Sequence, residues 1–331
     1  MMTEPSSELS IVIPAYQEGS HLYSSISFIR DLVQELTPDY EIVIVDDGSA
    51  DGTWAEIGRL TSAFPEIRGL RLSRNFGKDA ALSAGLAHCT GRAVLTMDAD
   101  LQHPPSAIAD FYRYWKHDGF EIVEGVKSVR DKEPVMRRAA SFAFNWLSSY
   151  YTGLRLTDST DFKLLDRKVL LSWRQLRERR VFFRGLISWM GFRRKQVPFE
   201  VHPRAAGDSK WSTFGLLHLA LSAIIAFSSA PLRIAHVVAA LFLLFAVSLG
   251  ARALYLKLIG SAVSGFTTVI VVLLLIGGLI LVVLGMIAEY VAAIYEELKA
   301  RPRYFVTETL PPGPGTADSP YQQDYADRSL R

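Results

Sequence analysis

Two stretches near the C-terminal end constrain the fold before any motif is read. Ile234–Ala251 contains no Asp, Glu, Lys or Arg, and neither does Phe266–Ala288. A helix needs about 20 apolar residues to cross a hydrocarbon core of about 30 Å, and both stretches are of that order. The alternative is a pair of buried core helices, but a helix of a soluble protein is rarely apolar on every face over such a length. The pattern therefore predicts a two-helix membrane hairpin over residues 233–296, with spans at about 234–256 and 266–290. Arg233 before the first span and Lys299, Arg301 and Arg303 after the second agree with cytosolic ends, whereas Arg252 and Lys257 near the turn run against that rule. The opening MMTEPSSELS has no basic segment leading into an apolar run, so no cleaved signal peptide is expected and the front domain should stay in the cytosol.

Up to about residue 210 the chain reads differently, with charges of both signs interleaved among apolar positions. We take 1–210 as one soluble domain and 211–232 as an amphipathic interfacial helix, since Trp211–Ser229 is largely apolar and ends at Pro231. Residues 297–331 form a cytosolic tail, expected to be disordered after Thr307, where Pro, Gly, Asp and Ser accumulate. A net charge of +2 is too small to imply nucleic-acid binding. The single cysteine, Cys89, excludes an intrachain disulfide and a cysteine-based zinc site, and is read as a small buried residue.

Within the front domain, apolar runs at Leu9–Tyr16, Tyr40–Val45, Gly69–Ser73, Ala93–Met97 and Phe120–Val126 alternate with segments of helical spacing such as Leu22, Ile26, Ile29, Val33 and Leu36. That alternation predicts an α/β layer structure around a mostly parallel sheet. Beyond Ser128 the pattern predicts a helix from Glu133 to about Tyr151, a polar link through Thr157–Asp161, helices near Lys168–Leu176 and Phe183–Met190, and a strand near Gln196–His202. Open sheets of this kind bind ligands beyond the carboxyl ends of their strands, and the carboxylate clusters of this chain fall there.

The first cluster, Val45-Asp46-Asp47-Gly48-Ser49 followed by Asp51-Gly52-Thr53, is either a base- or ribose-binding strand end or a polar turn with a helix cap. The second, Asp98-Ala99-Asp100, follows a strand directly and offers paired hard oxygens to Mg²⁺ or Mn²⁺, which would clamp a diphosphate. After the fifth strand, Lys127 in Glu124-Gly125-Val126-Lys127 is placed to meet a phosphate, or else joins a surface charge run with Arg130, Arg137 and Arg138. The fourth cluster, Thr157–Lys163, is a polar loop in which a carboxylate such as Asp161 could act as a base or orient an acceptor. A phosphate acceptor is already ionised near neutral pH, so geometry would be the main role. The fifth, Arg204–Trp211, carries Arg204, Ser209 and Lys210 at the edge of the apolar region, either as a segment closing over phosphates or as a basic membrane anchor.

Taken in order, IVIPAYQE, VDDGSADGT, RNFGKDAALSAGL, TMDADLQHPP, VEGVK, TDFKLLDR and RAAGDSKW resemble the family-2 glycosyltransferases of GT-A fold over about residues 9–300. The closer resemblance is to the polyprenyl-phosphate glycosyltransferases, among them bactoprenol glucosyltransferases and relatives of dolichol-phosphate mannose synthase. It implies that Pro14, Tyr16 and Glu18 line the nucleotide pocket and that Asp46 contacts the base. Asp98, Asp100 and Gln102 would handle metal and diphosphate, with Asp100 and Asp161 as the catalytic pair. Lys127, Arg204, Ser209 and Lys210 would hold donor and acceptor phosphates. Lys163 departs from the more usual arginine of that motif. The resemblance further implies an inverting transfer from a nucleotide-sugar to polyprenyl phosphate, and a homotetramer embedded in membrane lipid at the inner membrane. UDP-glucose is the first expectation for the donor, with GDP-mannose or a UDP-amino-arabinose as alternatives.

Three other readings fit less well. A processive synthase needs more than two helices to line a pore, and no Gln-x-x-Arg-Trp run occurs. A P-loop kinase or ATPase lacks its Gly-x-x-x-x-Gly-Lys-Ser/Thr signature. A non-catalytic nucleotide-sugar binder has no need for Asp98, Asp100 and Asp161 together.

Overall fold

The computed structural model describes residues 5–101, 103–104, 106–127, 159–176, 178–179, 181–199, 230–259 and 266–311. The predicted helices at 133–151 and 211–229, together with Gln102, Arg204, Ser209 and Lys210, lie outside the described residues. Two compact units emerge, one holding the sheet and the other the two apolar helices.

In the sheet unit, β1 (Ser7–Ala15), β2 (Tyr40–Asp46), β3 (Ile67–Leu72) and β4 (Gly91–Thr96) run parallel. They are joined by α1 (Leu22–Leu36), α2 (Thr53–Ala63) and α3 (Lys78–His88). Helices cover the sheet, which is why SIVIP and EIVIVD read as unbroken apolar runs rather than alternating ones. On α1 the buried side is Leu22, Ser25, Ile26, Ile29 and Val33, the spacing seen in the sequence. Helix α3 instead buries small residues, and a Cβ on Gly85 would stand 2.2 Å from Val12 Cγ1 of β1. That glycine lets α3 lie close on the sheet, so its first residue, Lys78, starts near the strand ends.

The remaining elements are α4 (Ser106–Lys116), β5 (Ile122–Lys127), β6 (Ser159–Asp166), α5 (Arg167–Gln175), α6 (Phe183–Trp189), β7 (Arg194–Phe199) and β8 (Val306–Leu310). The strand order is β7-β5-β6-β4-β1-β2-β3-β8. Between β1 and β4 the winding reverses, the switch point at which such sheets bind ligands. This is the expected GT-A type of α/β sheet, with two antiparallel members.

Both antiparallel strands correct the sequence reading. Strand β6 occupies what was taken as a polar link and loop at 157–163, inserted between β4 and β5 and antiparallel to each. Its residues Thr160–Leu165 are buried on both faces, Asp161 and Lys163 included, because each charge meets a partner inside. Strand β8 stands where disorder after Thr307 was expected, paired antiparallel with the edge strand β3. Cys89 is buried and free, as expected.

The second unit contains α7 (Ala230–Leu258) and α8 (Phe266–Leu298). Val237–Leu256 and Val271–Leu298 are long and apolar enough to cross a membrane, with mean hydropathies of 2.2 and 3.1, and their side chains are exposed or partly exposed among the described residues. Leu243, Leu244, Leu273 and Leu281 are among the side chains left exposed, a cost in water that a hydrocarbon solvent removes.

Candidate active site

The register of β4 against β6 assembles the site. Thr96 pairs with Lys163, so two steps further out Asp98 comes opposite Asp161. The two carboxylates, 63 positions apart in sequence, thus face one another because β6 runs against β4. Thr96 Oγ1 donates to the Asp161 carbonyl at 2.5 Å and fixes the entry of β6.

Two cations join these carboxylates. Lys78 Nζ lies 2.6 Å from Asp98 Oδ1 and 2.8 Å from Asp161 Oδ2. Arg184, in the first turn of α6, grips Asp161 with both arms of its fork, Nε to Oδ1 at 2.7 Å and Nη2 to Oδ2 at 2.8 Å. Burial alone would raise the Asp161 pKa, but the Arg184 fork and the Lys78 ammonium outweigh it and hold the carboxyl well below the usual carboxylate range. A carboxylate so held is a poor proton acceptor near neutral pH, and its oxygens are engaged. Burial lowers Lys78, and Asp98 and Asp161 more than reverse that, so it stays charged. Neither cation was singled out from the sequence. The available signal was position: a lysine or arginine in a helix's first turn opposes the helix dipole, which makes sense only where anions gather.

Around the end of β2 the carboxylates divide by role. Asp47 latches the loop ahead of α3, its two oxygens accepting the Phe76 and Gly77 N–H groups at 2.8 and 2.9 Å. Asp51 accepts the Thr53 N–H at 3.1 Å and the Gly19 N–H at 3.2 Å, tying the start of α2 to the exit of β1. Those two fit the polar-turn-and-cap reading. Asp46 does not: it is fully buried, Oδ1 accepts the Ser49 N–H at 3.0 Å, and Oδ2 has no hydrogen-bond partner. The nearest cation, Arg71 Nε, stands 3.4 Å away. A buried carboxylate oxygen left without a protein partner is completed by a donor from water or a ligand. Gly48, at φ +68°, turns the chain here, and a Cβ on it would lie 2.4 Å from the Arg74 carbonyl carbon.

The exit of β1 lies beside the end of β2, Ala15 pairing with Asp46. Tyr16 is exposed, Pro14 and Glu18 are partly buried, and Gln17 (φ 57°) and Glu18 donate their N–H groups to Ser49 and Thr53 at 3.0 Å. The structure thus gathers Pro14, Tyr16, Glu18 and Asp46 at adjoining strand ends.

At the end of β4, Asp98 and Asp100 supply hard oxygens, and the chain reverses at Leu101 with φ 54°. No group of three or more His, Cys, Asp or Glu side chains suited to a metal occurs among the described residues. Two carboxylates still suit Mg²⁺ or Mn²⁺, ions that are often held by one or two carboxylates and by the phosphates of the substrate. His103 is buried, stacked on Phe162 at 4.8 Å with its edge toward Phe199, and burial lowers its pKa, so it fills space as a neutral ring. Beneath the site, the buried Lys163 donates to Glu124 at 2.5 Å, and Glu124 also accepts from Gln196 at 2.8 Å. Lys127 closes β5 opposite Phe199, the side chain lying outside what is described.

The chain matches the glycosyl transferase family 2 model over residues 10–169. It is 37% identical over 304 residues to an uncharacterized glycosyltransferase of Synechocystis sp., covering 91% of this chain and 95% of that one. A prophage bactoprenol glucosyl transferase homolog of Escherichia coli (strain K12) is 32% identical over 301 residues, 90% of this chain and 98% of its own length. Among solved structures, a mannosyltransferase of Pyrobaculum calidifontis in complex with GDP-Man and Mn²⁺ is 21% identical, covers 91% of this chain and 89% of that one, and has a TM-score of 0.48. With full-length relatives above 30% identity, the chain belongs to glycosyl transferase family 2.

Proposed function

We propose that the protein transfers a sugar, glucose first, from a nucleotide-sugar, UDP-glucose first, to polyprenyl phosphate with inversion at the anomeric carbon. The observation that carries this is the pairing of Asp98 and Asp161 across β4 and β6 under Lys78 and Arg184, beside the orphaned Asp46 oxygen. A donor-binding strand end, a diphosphate-side carboxylate and an acceptor-side carboxylate then share one cleft. The two bilayer-length helices and the names of the bactoprenol relatives support a lipid acceptor.

In this reading Asp46 binds the base or ribose, with Pro14, Tyr16 and Glu18 around it. A phosphate oxygen of the lipid attacks the anomeric carbon, the bond to the diphosphate breaks, and the nucleoside diphosphate leaves without a sugar-enzyme intermediate. No base is required, because the attacking phosphate is already ionised. Asp161, held as an anion, keeps Lys78 and Arg184 at the meeting point of the two substrates. A divalent ion bound by Asp98, Asp100 and Gln102 would neutralise charge growing on the leaving diphosphate. Lys127, Arg204, Ser209 and Lys210 would hold phosphates. The sheet unit would face the cytosol, with the helices as a hairpin in the inner membrane and the chain as a tetramer.

The test uses the full chain in detergent with undecaprenyl phosphate, labelled UDP- and GDP-sugars, and Mg²⁺ or Mn²⁺. Label entering the organic phase from one donor, lost with EDTA and in Asp100→Asn, supports the proposal and names the sugar. GDP-mannose or a UDP-amino-arabinose as that donor would replace glucose. A folded chain that binds nucleotide yet moves no label would point instead to a non-catalytic binding protein.

A further inference from the structure

Strand β8 follows the second apolar helix in sequence, yet it reaches back to the residues around Asp46. Arg71 of β3 pairs with Glu308 of β8, and the register shifts between Arg71 and Leu72. Glu308 uses both oxygens: Oε1 lies 2.8 Å from Arg71 Nη1, and Oε2 accepts the Trp54 indole N–H at 3.1 Å. The Arg71 guanidinium sits over the Trp54 ring, 5.6 Å from its centroid. Its Nη2 donates to the Ser49 carbonyl at 3.5 Å, and Thr307 Oγ1 donates to the Arg71 carbonyl at 3.3 Å.

These contacts leave the guanidinium at a particular distance. Arg71 Nε stands 3.4 Å from Asp46 Oδ2, near it but without satisfying it by a hydrogen bond. We propose that Glu308 of β8 is a positioning residue for the donor site, holding Arg71 back so that Asp46 Oδ2 stays open to an N–H or O–H of the nucleoside. Released from Glu308, an arginine fork beside a buried carboxylate closes on it in the bidentate geometry such pairs prefer, and the open oxygen is consumed. As a contribution to stability the pair is small, since Glu308 is half exposed and exposed ion pairs contribute little. Its consequence lies in ligand affinity. The inference rests on the proposed role of Asp46 in binding the donor nucleoside.

The experiment is calorimetric titration of the full chain in detergent with UDP and with GDP in the presence of Mg²⁺, beside steady-state transfer. Glu308→Ala should weaken the nucleoside diphosphate that wild type prefers by about fivefold. It should raise the donor KM to match, and leave kcat, the acceptor KM and the melting midpoint unchanged. Glu308→Gln, which keeps an acceptor for Arg71 and Trp54, should recover most of the affinity. In an Arg71→Ala background, Glu308→Ala should add nothing. Unchanged affinity in Glu308→Ala, or additive losses in the double variant, overturns the inference while leaving the donor reading intact. A folded wild type that binds neither nucleotide overturns the donor reading itself, and this inference with it.

Discussion

Replacing Lys78 by Met removes a nitrogen that touches carboxylates on both sides of the cleft. With contacts of 2.6 and 2.8 Å, the oxygens it joins lie no more than about 5.4 Å apart. At an effective dielectric of about 20, two unit charges at that separation repel by ~3 kcal/mol. The Lys78 and Asp98 side chains are 40% and 31% exposed, and Arg184 keeps its hold on Asp161, so about half of that survives screening. Losing the charge-assisted hydrogen bonds adds a comparable ~1.5 kcal/mol. If the transition state requires that arrangement intact, the fall in kcat/KM is on the order of 10²-fold. The assay is initial-rate transfer of labelled sugar to polyprenyl phosphate, with donor and acceptor varied separately. The loss should fall mainly on kcat if, as proposed, the lysine links the donor and acceptor sides, and Lys78→Arg should regain part of it. Lys78→Met with kcat and both KM values within about threefold of wild type would refute the reasoning.

Lys163→Met removes the cation paired with the buried Glu124 and should destabilise the sheet unit by about 3 kcal/mol, with Lys163→Met/Glu124→Gln recovering much of it in thermal melts. Asp79 is raised to about 6 by burial and by the Asp161 charge, so the folded state holds its proton more tightly than the unfolded one. Its contribution is therefore favourable below about pH 4 and lost as pH rises through about 6. Asp79→Asn should match wild type in melting midpoint at pH 4 and exceed it at pH 7.5, by on the order of 1 kcal/mol; equal midpoints at both pH values would refute this. Removing divalent ions with EDTA should weaken nucleoside-diphosphate binding by about tenfold or more, and unchanged binding would argue against an ion at Asp98 and Asp100.

The parallel strands were legible because strands buried on both faces read as continuous apolar runs, and each predicted run falls within a few residues of β1 to β5. Asp46, Asp98 and Asp161 were legible as polar residues beside such runs. What the sequence concealed was partnership. Strand β6 carries Asp161, Lys163 and Asp166, and reads as a polar link until Arg184, Glu124 and the Trp115 indole are seen to answer each charge. Strand β8 is short, largely exposed, and paired with a strand more than 230 positions away. The same limit applies inside VDDGSADGT. Asp46, Asp47 and Asp51 are chemically alike on the page, and only the three-dimensional contacts separate the open oxygen of Asp46 from two carboxylates fully used by backbone N–H groups.

The charge balance of the cleft sets what else the reaction needs. Asp98 and Asp161 are matched by Lys78 and Arg184, and Asp79 and Asp100 add further carboxylates nearby, so no surplus positive charge stands ready where, on the proposed reading, a diphosphate and a lipid phosphate must meet. The two cations cannot simply neutralise those phosphates, because each is already engaged by a carboxylate at hydrogen-bond distance. Two anions brought together in such a cleft would repel by several kcal/mol at the separation of reacting groups. Additional positive charge has to arrive with the donor or close over it. On that reading a divalent ion at Asp98 and Asp100 would supply the first, and Lys127, Arg204 and Lys210 are the basic side chains the sequence offers for the second. On the proposed reading the Lys78 and Arg184 pairs would serve less to bind substrate by charge than to hold Asp98 and Asp161 in register, so that added cations have fixed anions to build upon.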